Sequence, residues 1–262
     1  MEKKLENFIN LLGKTSLNFH DFLQKANDIE EIKELINIRN FDDWHVLGLN
    51  LLKTETGKIT LESRYTEFKD QVFCVVDIET NGGIKTGQII EIGAVKIQDG
   101  KEIGRFESFV YAEQIPENIS ELTGIYPSDL VGAPSLASVL EKFKIFLGDS
   151  VFIAHNVKFD YDFISASLEK IGFGMLLNRR ICTIDLARRT IPSQKYGLGT
   201  LKELLGINNA HHRALNDAVA AALIFEECVK RVPWSVQSVE DLINFSKTAK
   251  SLKLPNTPFI QS

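Results

Sequence analysis

Val72-Phe-Cys-Val-Val-Asp-Ile-Glu-Thr80 is an apolar, mostly β-branched run that closes on two carboxylates. Such a run suits a strand buried in the middle of a sheet. Side chains two apart on a strand point to one face, so Asp77 and Glu79 converge at the strand's end. Two like charges held together on a buried strand raise each other's pKa and cost stability unless a cation lies between them. A divalent metal is the natural resolution. The alternative is a strand end where both acids simply reach water.

Outward from this run, the segments Ile89–Ile97 and Ile103–Val110 alternate as strands do, and the Asp99-Gly100 pair between them signals a hairpin. Three meandering strands result. Ser135 then opens a helix through Phe146, Val151–Ala154 reads as a strand and Tyr161–Ile171 as a helix. A strand near Ile181–Ile184 is followed by helices around Leu186–Thr190, Thr200–Leu205 and Leu215–Val229. A mixed sheet flanked by helices, an α/β domain over residues 70–232, is the expectation. Pro233 and Trp234 mark its boundary; residues 233–262 hold a helix from Val239 to Ala249 and a loose tail.

Residues 1–69 have a different texture. Leu5, Phe8, Ile9 and Leu12 repeat at helical spacing, as do Ile29, Ile32, Leu35 and Ile36 after Asp28, with a short helix near Phe19, Phe22 and Leu23. Two strands joined by a Gly57-containing turn follow, at Leu47–Lys53 and Lys58–Ser63. Helices followed by a hairpin resemble a winged-helix module in element order; a docking or packing appendage is the plainer reading.

The chain has 262 residues, a net charge of −5, 44% hydrophobic and 25% charged residues, as an ordinary soluble globular protein does. No apolar run reaches the roughly 18 residues of a membrane span, and the amphipathic N-terminal segment is no signal-peptide core. A cytoplasmic protein with no membrane partner is expected. Cys74, Cys182 and Cys228 are an odd number, scattered singly, which argues against a disulfide framework or a Cys-based zinc site. Mild acidity argues against gripping nucleic acid with a broad positive surface, yet permits a site built from carboxylates and cations. Two glycine clusters carry no nucleotide chemistry: Gly82-Gly-Ile-Lys-Thr-Gly87 lacks the Lys-Ser/Thr of a phosphate loop, and Gly197-Leu-Gly199 lacks a third glycine.

Two further acids stand out. Asp160 follows the strand at Val151–Ala154 and opens a helix, where it offers either a site carboxylate or a plain N-cap; Asp162 is favoured there merely by the helix dipole. In His211-His-Arg-Ala-Leu-Asn-Asp217, five residues at about 100° each would place His212 and Asp217 about 140° apart on a continuous helix. If the helix begins near Arg213 or Ala214, His212 sits on the preceding loop and can swing over the site that Asp217 faces. An exposed polar helix start is the plainer reading.

Together, Asp77-Ile-Glu-Thr80, His155-Asn-Val-Lys-Phe-Asp160 and His212-Arg-Ala-Leu-Asn-Asp217 resemble, in order, the three exonuclease motifs of the DnaQ-like DEDDh family. That family includes the proofreading epsilon subunit of bacterial DNA polymerase III. Glu121-Leu-Thr-Gly-Ile125, Phe146-Leu-Gly148 and Thr183-Ile-Asp-Leu-Ala187 are similar to it as well, and the resemblance spans residues 70–231. A sister group places tyrosine four residues before the last acid; Arg213 stands there, and His212 makes the chain the histidine type. Asn216 departs from the acid often found in its place.

The resemblance implies a ribonuclease H-like fold in which Asp77, Glu79, Asp160 and Asp217 hold two divalent cations, Mg²⁺ or Mn²⁺. Two ions about 4 Å apart can clamp a scissile phosphate, one at the attacking water and one at the leaving 3′ oxygen. His212 is then the general base, and 3′→5′ hydrolysis of DNA to nucleoside monophosphates is the implied reaction. By the same resemblance Thr80 contacts the terminal nucleotide, Leu122 and Ile125 wedge against the end bases unless they are core, and His155, Asn156 and Phe159 shape the pocket rim. The partners implied are single-stranded or frayed DNA 3′ ends and the DNA polymerase III catalytic subunit. The sliding clamp is not expected, because Gln237–Leu242 lacks the compact Gln-x-x-Leu-Phe spacing. A ribonuclease trimming RNA ends is the nearest rival, and a noncatalytic nucleic-acid or polymerase-binding module a remote one.

Overall fold

In the computed structural model, which describes residues 3–208, 213–252 and 254, the alternation of the apolar runs becomes a sheet covered on both faces. The chain begins with α1 (Lys3–Leu12), α2 (Phe19–Asn27), α3 (Glu30–Leu35), α4 (Phe41–Val46) and the short antiparallel strands β1 (Leu51–Lys53) and β2 (Ile59–Leu61). The central part runs β3 (Phe73–Thr80), β4 (Ile89–Gln98), β5 (Lys101–Phe109), α5 (Glu117–Thr123), α6 (Leu136–Leu147), β6 (Val151–Ala154), α7 (Val157–Lys170) and β7 (Arg180–Cys182). It continues through α8 (Thr183–Thr190), α9 (Leu198–Leu205) and α10 (Ala214–Val229) to α11 (Val239–Thr248).

The larger sheet has the order β5-β4-β3-β6-β7; β3, β4 and β5 pair antiparallel, whereas β3, β6 and β7 run parallel. β3 sits in the middle, as its near-continuous apolar run requires. Its Phe73 and Val75 pack with Leu186, Leu201 and Phe225 of α8, α9 and α10, and its Cys74, Val76 and Ile78 pack with Phe143 of α6 and Tyr161 and Phe163 of α7. The two-residue period therefore carries Asp77 and Glu79 to the α10 side.

Several local readings change; in the N-terminal part the expected Leu47–Lys53 strand shortens to β1 and α4 precedes it. The Ile181–Ile184 run divides, because β6 ends at Ala154 and offers pairing only to Arg180–Cys182; Thr183 then starts α8. α7 starts at Val157, four residues before Tyr161, because Asn156 turns the chain sharply in the left-handed region at φ 75°. Asp160 is consequently a first-turn residue, and the N-cap position belongs to Asn156. Finally, α5 occupies Glu117–Thr123, a stretch with no helical signal in the reading above, and ends on Gly124 at φ 69°.

The N-terminal helices and hairpin enclose Leu5, Phe8, Leu12, Phe22, Ile32, Trp44, Leu49 and Leu61, and Met175 and Leu177 close this cluster from the segment before β7. The Leu177 N–H donates to the Leu47 carbonyl at 2.7 Å. α11 joins the same region: Glu240 accepts from Arg179 Nε and Nη2 at 2.7 Å each and from Ser63 Oγ at 2.8 Å.

Candidate active site

The site forms where the sheet changes from antiparallel to parallel pairing. β6 pairs with only Phe73–Val75 of β3 before the chain turns into α7, while β4 continues alongside β3 to Thr80. One edge of β3 is thus open beyond Val75, and the Ile78 N–H donates there to Asp160 Oδ1 at 3.2 Å. Crevices at the carboxyl ends of parallel strands, beside such a switch, are the usual ligand sites of α/β sheets.

Asp217 arrives from the other face. Gly93 of β4 lies opposite Asp77, and a Cβ there would fall within 2.0–2.4 Å of the Ala214–Leu215 backbone. Absence of a side chain at Gly93 lets the first turn of α10, which carries Asp217, lie against the sheet. One carboxylate oxygen from each of Asp77, Glu79 and Asp217 lies within 4.8 Å of the other two. Lys202 Nζ of α9 stands 4.0 Å from Asp217 Oδ1. Asp160 reaches the same strand end from the opposite face of the sheet, outside this triplet.

Burial makes the acids reluctant to ionise. It pushes Glu79 up to about 7, with Glu91 and Asp217 adding repulsion, and pushes Asp160 up to about 8 against the lowering effect of two backbone hydrogen bonds. Asp77 is raised well above the carboxylate range by burial, then by Asp160, Glu79, Asp217 and Glu91 in turn. A cation bound among them would relieve both the burial and the repulsion. Oxygen ligands at about 2.0–2.6 Å from one ion lie no more than about 5 Å apart, which the triplet satisfies. Hard carboxylate donors without thiolate suit Mg²⁺ or Mn²⁺.

The remaining candidates fall into three groups. Thr80 sits at a bulge, where the register skips from Glu79↔Glu91 to Thr80↔Ile89, and its hydroxyl donates to the Gly82 carbonyl at 3.0 Å. The Gly82–Gly87 stretch is simply the loop closing β3 onto β4. Leu122 of α5 is 61% exposed, but Ile125 is 1% exposed, packed with Ile90, Ala112, Ile115 and Leu130. Ile125 is therefore a core residue rather than a wedge against bases, because it follows the Gly124 turn that directs the chain inwards. His155 is held by its Nδ1, 2.8 Å from Thr183 Oγ1, and burial lowers its pKa to about 4, so its ring is neutral near pH 7. Asn156 is exposed, as is Phe159, whose ring packs 5.8 Å from Phe163. His212 lies outside the described residues.

Sequence reasoning missed Glu91. It is fully buried in β4 and accepts from Arg213 Nε at 2.9 Å and from the Ala214 N–H at 3.1 Å. The signal was a lone charge inside the apolar run Ile89-Ile-Glu-Ile92.

A carboxylate cluster able to hold divalent cations at the end of a central strand can orient and polarise a phosphodiester. The family model described as exonuclease (RNase_T) matches residues 74–225. DNA polymerase III PolC-type from Staphylococcus aureus is 40% identical over 193 residues, which make up 71% of this chain and 13% of that one. The protein of that name from strain bovine RF122 / ET3-1 is 37% identical over 187 residues, 70% of this chain and again 13% of the relative. The chain thus spans about an eighth of the length of these relatives. Among solved structures, exonuclease X in complex with 5′ overhanging duplex DNA superposes with a TM-score of 0.52 at 25% identity, covering 66% of this chain and 99% of that one. E. coli exonuclease I in complex with a dA16 oligonucleotide superposes with a TM-score of 0.55 at 16% identity over 63% of this chain and 42% of that one, a likeness of fold.

Proposed function

The chain belongs to the RNase_T exonuclease family, and from that premise we propose that it removes nucleotides from DNA 3′ ends by metal-dependent phosphodiester hydrolysis. The observation that carries the reading is the convergence of Asp77, Glu79 and Asp217 within 4.8 Å at the end of the central strand. Asp160, fixed by the Ile78 N–H, supplies the fourth carboxylate. These four acids hold two divalent cations, which when bound supply Lewis acidity at the scissile phosphate. His212 accepts the proton of the attacking water as a neutral imidazole. Thr80 meets the terminal nucleotide at the bulge, and the exposed faces of Leu122 and Phe159 offer apolar contact to unpaired bases without regard to sequence. His155 and Asn156 shape the rim of the same pocket.

DNA is favoured over RNA by the relatives: a DNA polymerase, and an exonuclease captured on duplex DNA with a 5′ overhang. Single-stranded or frayed 3′ ends are the substrates we assign, and proofreading beside a polymerase III catalytic subunit is the setting. The test uses 5′-labelled single-stranded DNA and the matching RNA with Mg²⁺, Mn²⁺ or EDTA. The expected result is a ladder shortening from the 3′ end, faster on DNA, absent in EDTA and lost in Asp77→Ala. Faster decay of RNA would move the protein to RNA processing, and unchanged cleavage by both Asp77→Ala and His212→Ala would overturn the site.

A further inference from the structure

The start of α10 is fastened to β4 beside the two acids of β3. Glu91 and Gly93 lie two apart on β4, so they face one side, and in the β3–β4 register they stand across from Glu79 and Asp77. Gly93 supplies a gap, since the Ala214–Leu215 backbone lies against the place its Cβ would take. Glu91 supplies a hook. It is fully buried; one oxygen takes the Ala214 N–H at 3.1 Å, and the other is reached by Arg213 Nε and Nη2 at 2.9 Å each. Arg213 is the N-cap residue of α10, yet its own side chain does not cap the helix. The carboxylate of Glu91 does so from the neighbouring strand, at the end of the helix where a negative charge is favoured. Glu107 holds the outer side of the guanidinium at 3.4 Å, and the centre of the Phe109 ring lies 4.9 Å from it. The helix start can thus move neither towards β4, where its backbone already meets Gly93, nor away from it, where Glu91 retains it.

Asp217 stands three residues after Ala214, on the same face of the helix. Its N–H donates to the Arg213 carbonyl at 3.0 Å, so it is tied to the residue that Glu91 grips. Two of the converging carboxylates come from β3, whereas the third comes from a helix seated on β4, and their oxygens lie within 4.8 Å of one another. We infer that Glu91 and Arg213 are positioning residues for the metal site: by pinning the first turn of α10 to β4, they keep Asp217 at ligand distance from Asp77 and Glu79. Neither belongs to the converging triplet. The inference rests on the assignment of Asp217 as a cation ligand.

The test reads Mn²⁺ binding to the full chain by isothermal titration calorimetry at pH 8, independently of DNA turnover. Asp217→Asn serves as the reference, and Glu91→Gln and Arg213→Ala as the probes. Glutamine keeps the volume but turns one acceptor into a donor, so it cannot satisfy both Arg213 and Ala214. Glu91→Gln should raise the Kd for Mn²⁺ about 10- to 100-fold, as loss of an outer-shell partner does, and Arg213→Ala should raise it severalfold. Charge alone would drive the two probes apart, because one removes a negative charge near the cluster and the other a positive one. Weaker binding in both is therefore the mark of position. In the Asp217→Asn background each substitution should cost no more than about twofold further, because both act through that carboxylate. Parent-like Mn²⁺ binding in Asp217→Asn would sink the carboxylate site itself. Weak binding in Asp217→Asn, combined with parent-like affinity or opposite shifts in the two probes, or with losses that multiply in the pairs, would overturn the positioning role alone. If either probe fails to melt cooperatively, Arg213→Lys takes its place, since lysine keeps the charge but loses the planar fork that spans Glu91 and Glu107. It should weaken Mn²⁺ binding severalfold, and parent-like affinity in Arg213→Lys would overturn the role equally.

Discussion

The carboxyl end of β3 and the core beneath α1 to α4 are packed by opposite rules. In the N-terminal core, Phe8, Phe22 and Trp44 meet with ring centroids 5.7–6.1 Å apart, and the one polar atom of Trp44, Nε1, donates to the Ile38 carbonyl at 3.1 Å. That cluster is built from apolar side chains, so its packing needs no ligand. At the end of β3, burial and mutual repulsion hold Asp77, Glu79 and Asp160 away from their ordinary ionisation. The first region holds no such conflict. The second stores an electrostatic conflict that a ligand is needed to resolve, as functional sites commonly do.

Asp77→Asn separates the two rules most sharply. It removes a charge that the fold resists, so the metal-free protein should melt higher than the parent at pH 8, while exonuclease activity falls about a thousandfold for want of several kcal/mol of metal-borne stabilisation. Calorimetry in EDTA alongside the end-labelled assay checks both. A variant that lost activity and stability together would show that Asp77 is simply structural.

Trp44→Ala is the converse. Truncating a fully buried tryptophan should cost about 3–5 kcal/mol of unfolding free energy in urea titration. The turnover of the molecules that remain folded should stay within about twofold of the parent, since no residue of the carboxylate cluster belongs to that core. A proportionate loss of turnover would mean that the contact of Met175 and Leu177 with the N-terminal core transmits to the site through β7.

How much of this was legible depended on whether a feature is local. The β3 run and the convergence of Asp77 with Glu79 follow from a two-residue period, and that period survives in the structure. The helix start that would leave His212 on the preceding loop was readable as a condition, and α10 does begin at Ala214 with Arg213 as its N-cap, while His212 itself lies outside the described residues. The early start of α7 was not readable, because it depends on Asn156 adopting the left-handed region, which asparagine permits without requiring. Leu122 and Ile125 looked equivalent in sequence; only the turn at Gly124 separates the exposed residue from the buried one. Glu91 was the hardest, since an acid in an apolar strand acquires meaning only when Arg213 and Ala214, more than 120 positions away, are brought against it.

A pH dependence confined to one of the two regions is also expected. Glu79 moves from an ordinary value of 4.5 to about 7, and Asp160 from 3.8 to about 8, so both acids hold their protons more tightly folded than unfolded. Stability linked to a raised pKa is fully present below the unfolded value, near pH 4, and is lost as pH climbs through about 7 to 8. In EDTA the melting temperature should therefore fall between pH 5 and pH 8.5, by about 2–4 °C for each kcal/mol lost. Divalent cations bind the ionised carboxylates, so the upward shift produced by Mg²⁺ or Mn²⁺ should be larger at pH 8 than at pH 6. The N-terminal cluster contains only apolar side chains and contributes no such slope, so Trp44→Ala should lower the whole profile without changing its tilt, whereas Glu79→Gln should flatten it. An equal metal shift at both pH values, measured by differential scanning calorimetry, would show that the acids are already ionised in the metal-free fold and that the conflict at the end of β3 is relieved from within the chain.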